Sequence, residues 1–261
     1  MKNFNFKSVT STKEATKLAS GRATFLAGGM TLIPAMKLRL AAYSDLINIK
    51  KIRGISGIKV SSKSIRIGAT TTHAEVAASK EVGKSIPSLA VLADGIGDPQ
   101  VRNRGTIGGS IANNDPAADY PSACLALNAT IHTTKRKIPA DKFFKGMFET
   151  DLKKGELIEA IEFEVPEKSA YAKFPNPASR YALVGVYVAK LKKEVRVAIT
   201  GAGNCVFRSK EIESSLSGNF SPSAIDKVSI SSKGLNSDIH ASAEYRAHII
   251  KVMTRKAVSS C

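Results

Sequence analysis

With 261 residues, 43% of them hydrophobic and 23% charged, the chain has the composition of an ordinary globular protein and the length for one large or two ordinary domains. Its three cysteines, Cys124, Cys205 and Cys261, are odd in number and far apart, which excludes a disulfide framework and the four thiolates of a zinc or iron–sulfur site. Lys and Arg exceed Asp and Glu by 39 − 22 = +17, but the lysines are spread along the chain and only 6% of residues are aromatic; this reads as a solvated basic surface, or a face for an acidic partner subunit, rather than a nucleic-acid interface.

The opening MKNFNFKSVTSTKE lacks the apolar run of a secretory signal, and no tract approaches the roughly 20 apolar residues of a membrane span, so a cytoplasmic protein without membrane insertion is expected. Asn5 to Val9 reads as a strand. Ser11 and Glu14 then stand at capping-box spacing before a helix whose Ala15, Leu18 and Ala19 share a face, with Gly21 as its stop. A short apolar strand from Ala23 to Ala27 runs into Gly28-Gly29 and on through Thr31 and Pro34 into a helical turn. Asp45 to Ile49 alternates as a strand, as do Ile65 and Ile67; Thr72 and Glu75 form a second capping box. Pro87 to Ile96 places Leu89, Leu92, Ala93 and Ile96 on one helical stripe. None of the four histidines, His73, His132, His240 and His248, forms an i, i+4 pair, so they read as surface or packing residues and no metal site is expected.

Arg104 to Pro121, RGTIGGSIANNDPAADYP, concentrates Gly105, Gly108 and Gly109 among hydroxyl and amide side chains. Glycine lets backbone approach a ligand closely, and backbone N–H groups so exposed can hold an anion such as a diphosphate. The glycine pair at Gly28-Gly29 has the same chemistry, and neither loop is a G-x-G-x-x-G fingerprint. Asp115-Pro116 has the form of an N-cap with proline at the first helical position. Ile131 to Ile138 reads as a hairpin. In LIEAIEFEVP, Ile161, Phe163 and Val165 face inward and Glu162 and Glu164 outward. A boundary falls at Pro166 to Ala170; beyond it Val184, Val186 and Val188 alternate, Lys192 to Glu194 turn, and Val195, Val197 and Ile199 return. Short helices follow at Glu211 to Leu216 and Pro222 to Val228. A last helix, about Ala241 to Ser259, puts Tyr245, Ile249, Val252 and Met253 on one stripe.

The segments FLAGGMTLIP, RNRGTIGGSIANNDPAADYP, YAKFPNPASRYALVGV, GAGNCVFR and AEYRAHIIKVMTRKAV together resemble the FAD-binding medium subunit of molybdenum hydroxylases, the carbon monoxide dehydrogenase and xanthine dehydrogenase family. The resemblance implies an α+β fold: a two-lobed PCMH-type, vanillyl-alcohol-oxidase-like FAD-binding domain over 1–168 (lobes about 1–54 and 55–168), then a C-terminal domain over 169–261 of three-stranded antiparallel sheet and helices. It implies two FAD diphosphate loops, Leu26, Ala27, Gly28, Gly29, Met30, Thr31, Leu32 and Thr106, Ile107, Gly108, Gly109, Ser110. By the same resemblance Asp119, Ile158 and Lys173 contact FAD, and Tyr181 stands near the isoalloxazine as a gate. Ser110 replaces a common asparagine, and Met30 stands where a polar residue is frequent.

The function so implied is an electron-transfer flavoprotein. A large partner carries the molybdenum cofactor, a small partner the iron–sulfur clusters, in a dimer of heterotrimers, and NAD, a quinone or oxygen is the acceptor. Two alternatives differ in their readouts. A self-contained FAD oxidoreductase would be reduced by substrate without partners, and a basic nucleic-acid-binding protein would be colourless with steeply salt-dependent DNA binding. Valine at both Gly108 and Gly109 is expected to release FAD from a folded protein.

Overall fold

A computed structural model describes residues 1–261. Its first sheet is parallel: Asp45–Asn48 lies between Asn5–Ser8 and Ala23–Leu26, and the first two strands in the chain are joined by the helix Thr12–Leu18. Ser11 caps that helix through the Glu14 N–H at 3.2 Å, while the Glu14 carboxylate accepts from Thr10 N–H rather than closing the box on Ser11. Val9, Ala15, Ile47 and Leu157 fill the small core beneath.

The second sheet is antiparallel, in the order Ile58–Val60, Ser64–Gly68, Ile158–Glu164, Thr130–Thr133, Lys137–Pro139. Ile65, Ile67, Ile131, Ile161 and Phe163 pack with Leu89, Leu92, Ala93, Ile107 and Ile111 in one core, as alternation and helical spacing require. The Thr72–Glu75 capping box is complete and starts the helix His73–Ala78. The edge strand Ile58–Val60 and the small hairpin Phe144–Gly146/Glu149–Thr150 had no sequence signal strong enough to be read.

The third sheet has long strands Lys168–Pro175, Ala182–Lys190 and Val195–Thr200, antiparallel throughout, and gains a two-residue edge, Phe207–Arg208. Its two faces enter two cores, which is why the middle strand is apolar on both sides. Val184, Val186 and Val188 pack toward the helix Ala243–Ser259, and Tyr187 and Ala189 join the core of the second sheet. No helix is long and apolar enough to cross a membrane.

Two expectations are corrected and one is refined. Asp115-Pro116 starts no helix: the Asp115 carboxylate accepts Ala117 N–H at 2.9 Å in a turn, and the helix Tyr120–Ala126 begins five residues later. Pro222–Lys227 is a 3-10 helix. The buried face of the last helix is Arg246, Ile249, Ile250, Met253 and Ala257, with Tyr245 and Val252 exposed. Arg246 turns inward because its guanidinium finds acceptors there, Leu183 O at 2.7 Å and Gly201 O at 3.1 Å.

Near the first sheet, Glu156 is almost fully buried and accepts from Arg136 Nε at 3.1 Å, Thr133 Oγ1 at 2.7 Å and Lys153 N–H at 2.8 Å. Burial opposes its charge, but Arg136 and these donors prevail and hold the carboxyl down at about 2. Because the folded value lies below the unfolded one, this group stabilises the fold above pH 4.5 and the contribution disappears as pH falls toward 2. The loss is on the order of 3 kcal/mol. Acid unfolding followed by circular dichroism is expected to be less steep in that window for Glu156→Gln, and an unchanged profile would contradict the assignment.

Candidate functional site

Both glycine loops open on one cleft of about 620 Å³, within the range of small-molecule and cofactor sites. They meet backbone to backbone: a Cβ at Gly28 would strike the Arg104 carbonyl oxygen and lie 2.8 Å from Gly105 Cα. Only a residue without a side chain permits that contact, and Gly29 next to it takes φ +75°.

The two loops are unlike in their hydrogen bonding. After strand Ala23–Leu26 ends, the N–H groups of Gly28, Gly29, Met30, Thr31 and Leu32 have no acceptor within the chain. Such a row of unpaired donors along a glycine turn suits a diphosphate. In the second loop the donors are spent on the fold: Ile107 N–H on Thr71 O at 3.1 Å, Gly108 N–H on Ala69 O at 2.9 Å, Gly109 N–H on Thr106 Oγ1 at 3.1 Å. What this loop offers the cleft is closeness at Gly109, the Thr106 N–H and the Ser110 hydroxyl.

Of the residues expected at the site, Leu26, Ala27, Gly28, Gly29, Met30, Thr31, Leu32, Thr106, Gly108, Gly109, Ser110, Asp119, Ile158 and Tyr181 line the cleft. Ile107 does not; it is fully buried in the core. Lys173 stands one layer behind. Its Nζ lies 3.0 Å from an Asp119 oxygen and donates to Gly95 O at 2.9 Å, so a strand of the third sheet grips the cleft wall. Asp119 also accepts from the Tyr171 hydroxyl. Burial pushes the Asp119 carboxyl up, against the pull of Lys173 and Tyr171.

Tyr181 lies at the rim, 45% exposed, ahead of the strand that starts at Ala182, and is no part of the core. The turn behind it is knit by Asn176 N–H to Tyr181 O at 2.8 Å, and Arg180, at φ +61°, donates to Gly97 O at 3.2 Å.

The glycines at 108 and 109 separate in role. A Cβ on Gly108 would sit 2.5 Å from Ala69 Cβ and 2.6 Å from Ala69 O, so valine there breaks the packing of helix Ile107–Asn113 on the second sheet. On Gly109 it would meet only Thr106 Oγ1 at 2.9 Å, with Ala27 Cβ at 3.9 Å. The double valine variant is therefore no clean test of binding, and Gly109→Val alone replaces it.

Sequence reading missed His73, Phe25, Tyr43, Ile96, Gly97, Val101 and Arg180, all on the cleft wall. Phe25, Ile96 and Arg180 lie in segments whose pattern is legible, but nothing local marks them, or Tyr43, Gly97 and Val101, as site residues, and His73 directly follows the Thr72 cap. The apolar members suit a flat aromatic ring as the open N–H row suits its phosphates, so the residues present fit FAD. No His, Cys, Asp and Glu cluster could hold a metal.

Comparison with known proteins agrees. The family described as the FAD binding domain in molybdopterin dehydrogenase matches residues 2–167, and the CO dehydrogenase flavoprotein C-terminal domain matches residues 169–261. The glyceraldehyde dehydrogenase medium chain of Sulfolobus acidocaldarius is 36% identical over 97% of this chain and 96% of its own. The carbon monoxide dehydrogenase medium chain of Hydrogenophaga pseudoflava is 32% identical over 91% and 88%. Among solved structures, the CO dehydrogenase of Oligotropha carboxidovorans superposes with a TM-score of 0.92 at 30% identity over 99% of this chain and 97% of that one. Fold, cleft and relatives together place the chain in the family of FAD-binding medium subunits of molybdenum hydroxylases, flavoprotein components of oxidoreductase complexes.

Proposed function

We propose that this chain is the electron-transfer subunit of a multi-subunit molybdenum hydroxylase, assembled with a large molybdenum-cofactor subunit and a small iron–sulfur subunit as a dimer of heterotrimers. Held in the cleft, FAD supplies the capacity to take up electrons singly from a partner's clusters and release two to NAD, a quinone or oxygen. The observation that carries this reading is the row of unpaired N–H groups from Gly28 to Leu32, pressed against the second glycine loop. These groups hold the diphosphate, bordered by Leu26, Ala27, Thr106, Gly109 and Ser110, while Gly108 and Ile107 anchor the loop to the core. Asp119 and Ile158 line the remainder, Lys173 positions Asp119, and Tyr181 at the rim would cover one face of the ring and admit the acceptor. The functional units are 1–168, with lobes 1–54 and 55–168, and 169–261. Three free cysteines support a cytoplasmic setting.

Of the three cleft carboxylates, Asp119 and Glu156 are engaged by Lys173 and Arg136 and Asp115 accepts the Ala117 N–H, which supports oxidation of substrate on a partner rather than here. Purified alone, the chain is expected to bind FAD stoichiometrically and to show no bleaching of the flavin with an aldehyde or purine. Rapid bleaching without partner chains overturns the subunit reading. Gly109→Val is expected to weaken FAD binding by at least about tenfold, a loss near 1.4 kcal/mol, while the FAD-free protein stays folded and melts only slightly lower as the Thr106 hydroxyl yields to the new Cβ. Retention of FAD by that variant would remove the second loop from the site.

A further inference from the structure

His73 is the first residue of helix His73–Ala78, fixed there by the Thr72–Glu75 box, and is only 5% exposed. Its ring packs against Tyr120, centroids 5.3 Å apart, and forms part of the cleft wall beside Gly105, the residue that abuts Gly28. Neither ring nitrogen has a partner in the chain. Nδ1 is sealed from solvent. Nε2 is unpaired but not sealed in this way, and lies so close to the second loop that a Cβ on Gly105 would sit 2.5 Å from it.

The sealed, unpaired Nδ1 costs on the order of 1–3 kcal/mol, and Nε2 is the ring atom left to find a partner outside the chain. The charged group beside it is Arg102, from the neighbouring helix Pro99–Arg102. Burial first, and Arg102 second, push the imidazole down to about 4, so it is neutral near pH 7. With no acceptor at the sealed Nδ1, the tautomer protonated on Nε2 places the N–H on the cleft side. The chain thus presents a neutral donor, without an acceptor of its own, at the seam of the two glycine loops.

We propose that His73 is a cofactor-binding residue whose Nε2–H donates a hydrogen bond to FAD at the seam between the Gly28 and Gly105 loops. This rests on the FAD reading of the same cleft. The glycine at 105 is what lets the ring approach: any side chain there would occupy the space in front of Nε2. Because the donor is neutral, it adds a directional contact without adding charge.

The test is titration of the FAD-free full chain with FAD, followed by quenching of flavin fluorescence. His73→Phe keeps a ring against Tyr120 and removes the donor; it is expected to weaken binding about tenfold while the FAD-free protein melts at or above the wild-type temperature. His73→Gln, which retains an N–H at comparable reach, is expected to recover part of that affinity. Binding of FAD by His73→Phe as tight as wild type overturns the proposal, as does a loss that His73→Gln does not relieve. If His73→Phe fails to fold, the imidazole ¹⁵N spectrum of the wild type decides. A protonated Nε2 resonance that shifts on FAD addition supports the bond, and one that stays in place excludes it. A wild-type chain that takes up no FAD overturns the cofactor reading itself, an outcome distinct from uptake that is indifferent to His73.

Discussion

Lys173→Met is expected to destabilise the protein by about 3–5 kcal/mol, the cost of leaving one member of a buried ion pair without its partner. The pair is well shielded, with side-chain exposures of 11% for Lys173 and 5% for Asp119. Even with the ammonium present, burial keeps the Asp119 carboxyl above its usual value of 3.8. Without it the carboxyl rises further and takes up a proton. A folded-state value above the unfolded one means that folding is favoured at low pH and loses ground as pH rises through the folded value. The deficit of Lys173→Met should therefore be larger at pH 8 than at pH 5. Asp119→Asn combined with Lys173→Met should recover most of the loss, because the two sites are in contact and not additive. Denaturant unfolding of the three variants at both pH values measures this. A deficit independent of pH, or one undiminished in the double variant, would show that Lys173 acts through packing alone. Since Lys173 also bonds Gly95 O, next to the cleft residues Ile96 and Gly97, its loss loosens Asp119 and that segment at once.

The second large effect is at Gly28. Alanine there is expected to abolish measurable FAD binding and to destabilise the FAD-free protein by about 1–3 kcal/mol, the range for overpacking. The obstacle is backbone, the Arg104 carbonyl and Gly105 Cα at 2.8 Å, so no rotamer change relieves it and the loops must part. Their separation moves the unpaired N–H groups of Gly28 to Leu32 away from the second loop. Gly21→Ala serves as the control: at φ +57° with nothing near its Cβ, it carries a backbone cost of about 1 kcal/mol and leaves the cleft untouched. Equal FAD affinity in Gly28→Ala and wild type, by fluorescence titration, would mean that the loops need not touch to bind.

Much of this fold was legible because its signals are local. Ser11–Glu14 and Thr72–Glu75 fix helix starts three residues apart, and alternation at Ile65/Ile67 and Val184 to Val188 fixes strand faces. The last helix was located but rotated wrongly, since ranking its faces by apolarity ignores that Arg246 can be buried where carbonyls await it. Asp115-Pro116 has the letters of a helix start and makes a turn instead, because the next residues do not continue the helical ladder until Tyr120.

The sequence by itself determined the class of fold, the two glycine loops and, through five linked segments, the family and its cofactor, because glycine patterns and hydrophobic periods are written in neighbouring residues. Only the tertiary structure decided which loop keeps free N–H groups, which of Gly108 and Gly109 is pressed against the second sheet, that Lys173 reaches Asp119 across 54 positions, and that His73 stands at the seam. Each of these depends on what a distant segment places opposite the residue, and that partner has no trace in the residue's own surroundings along the chain.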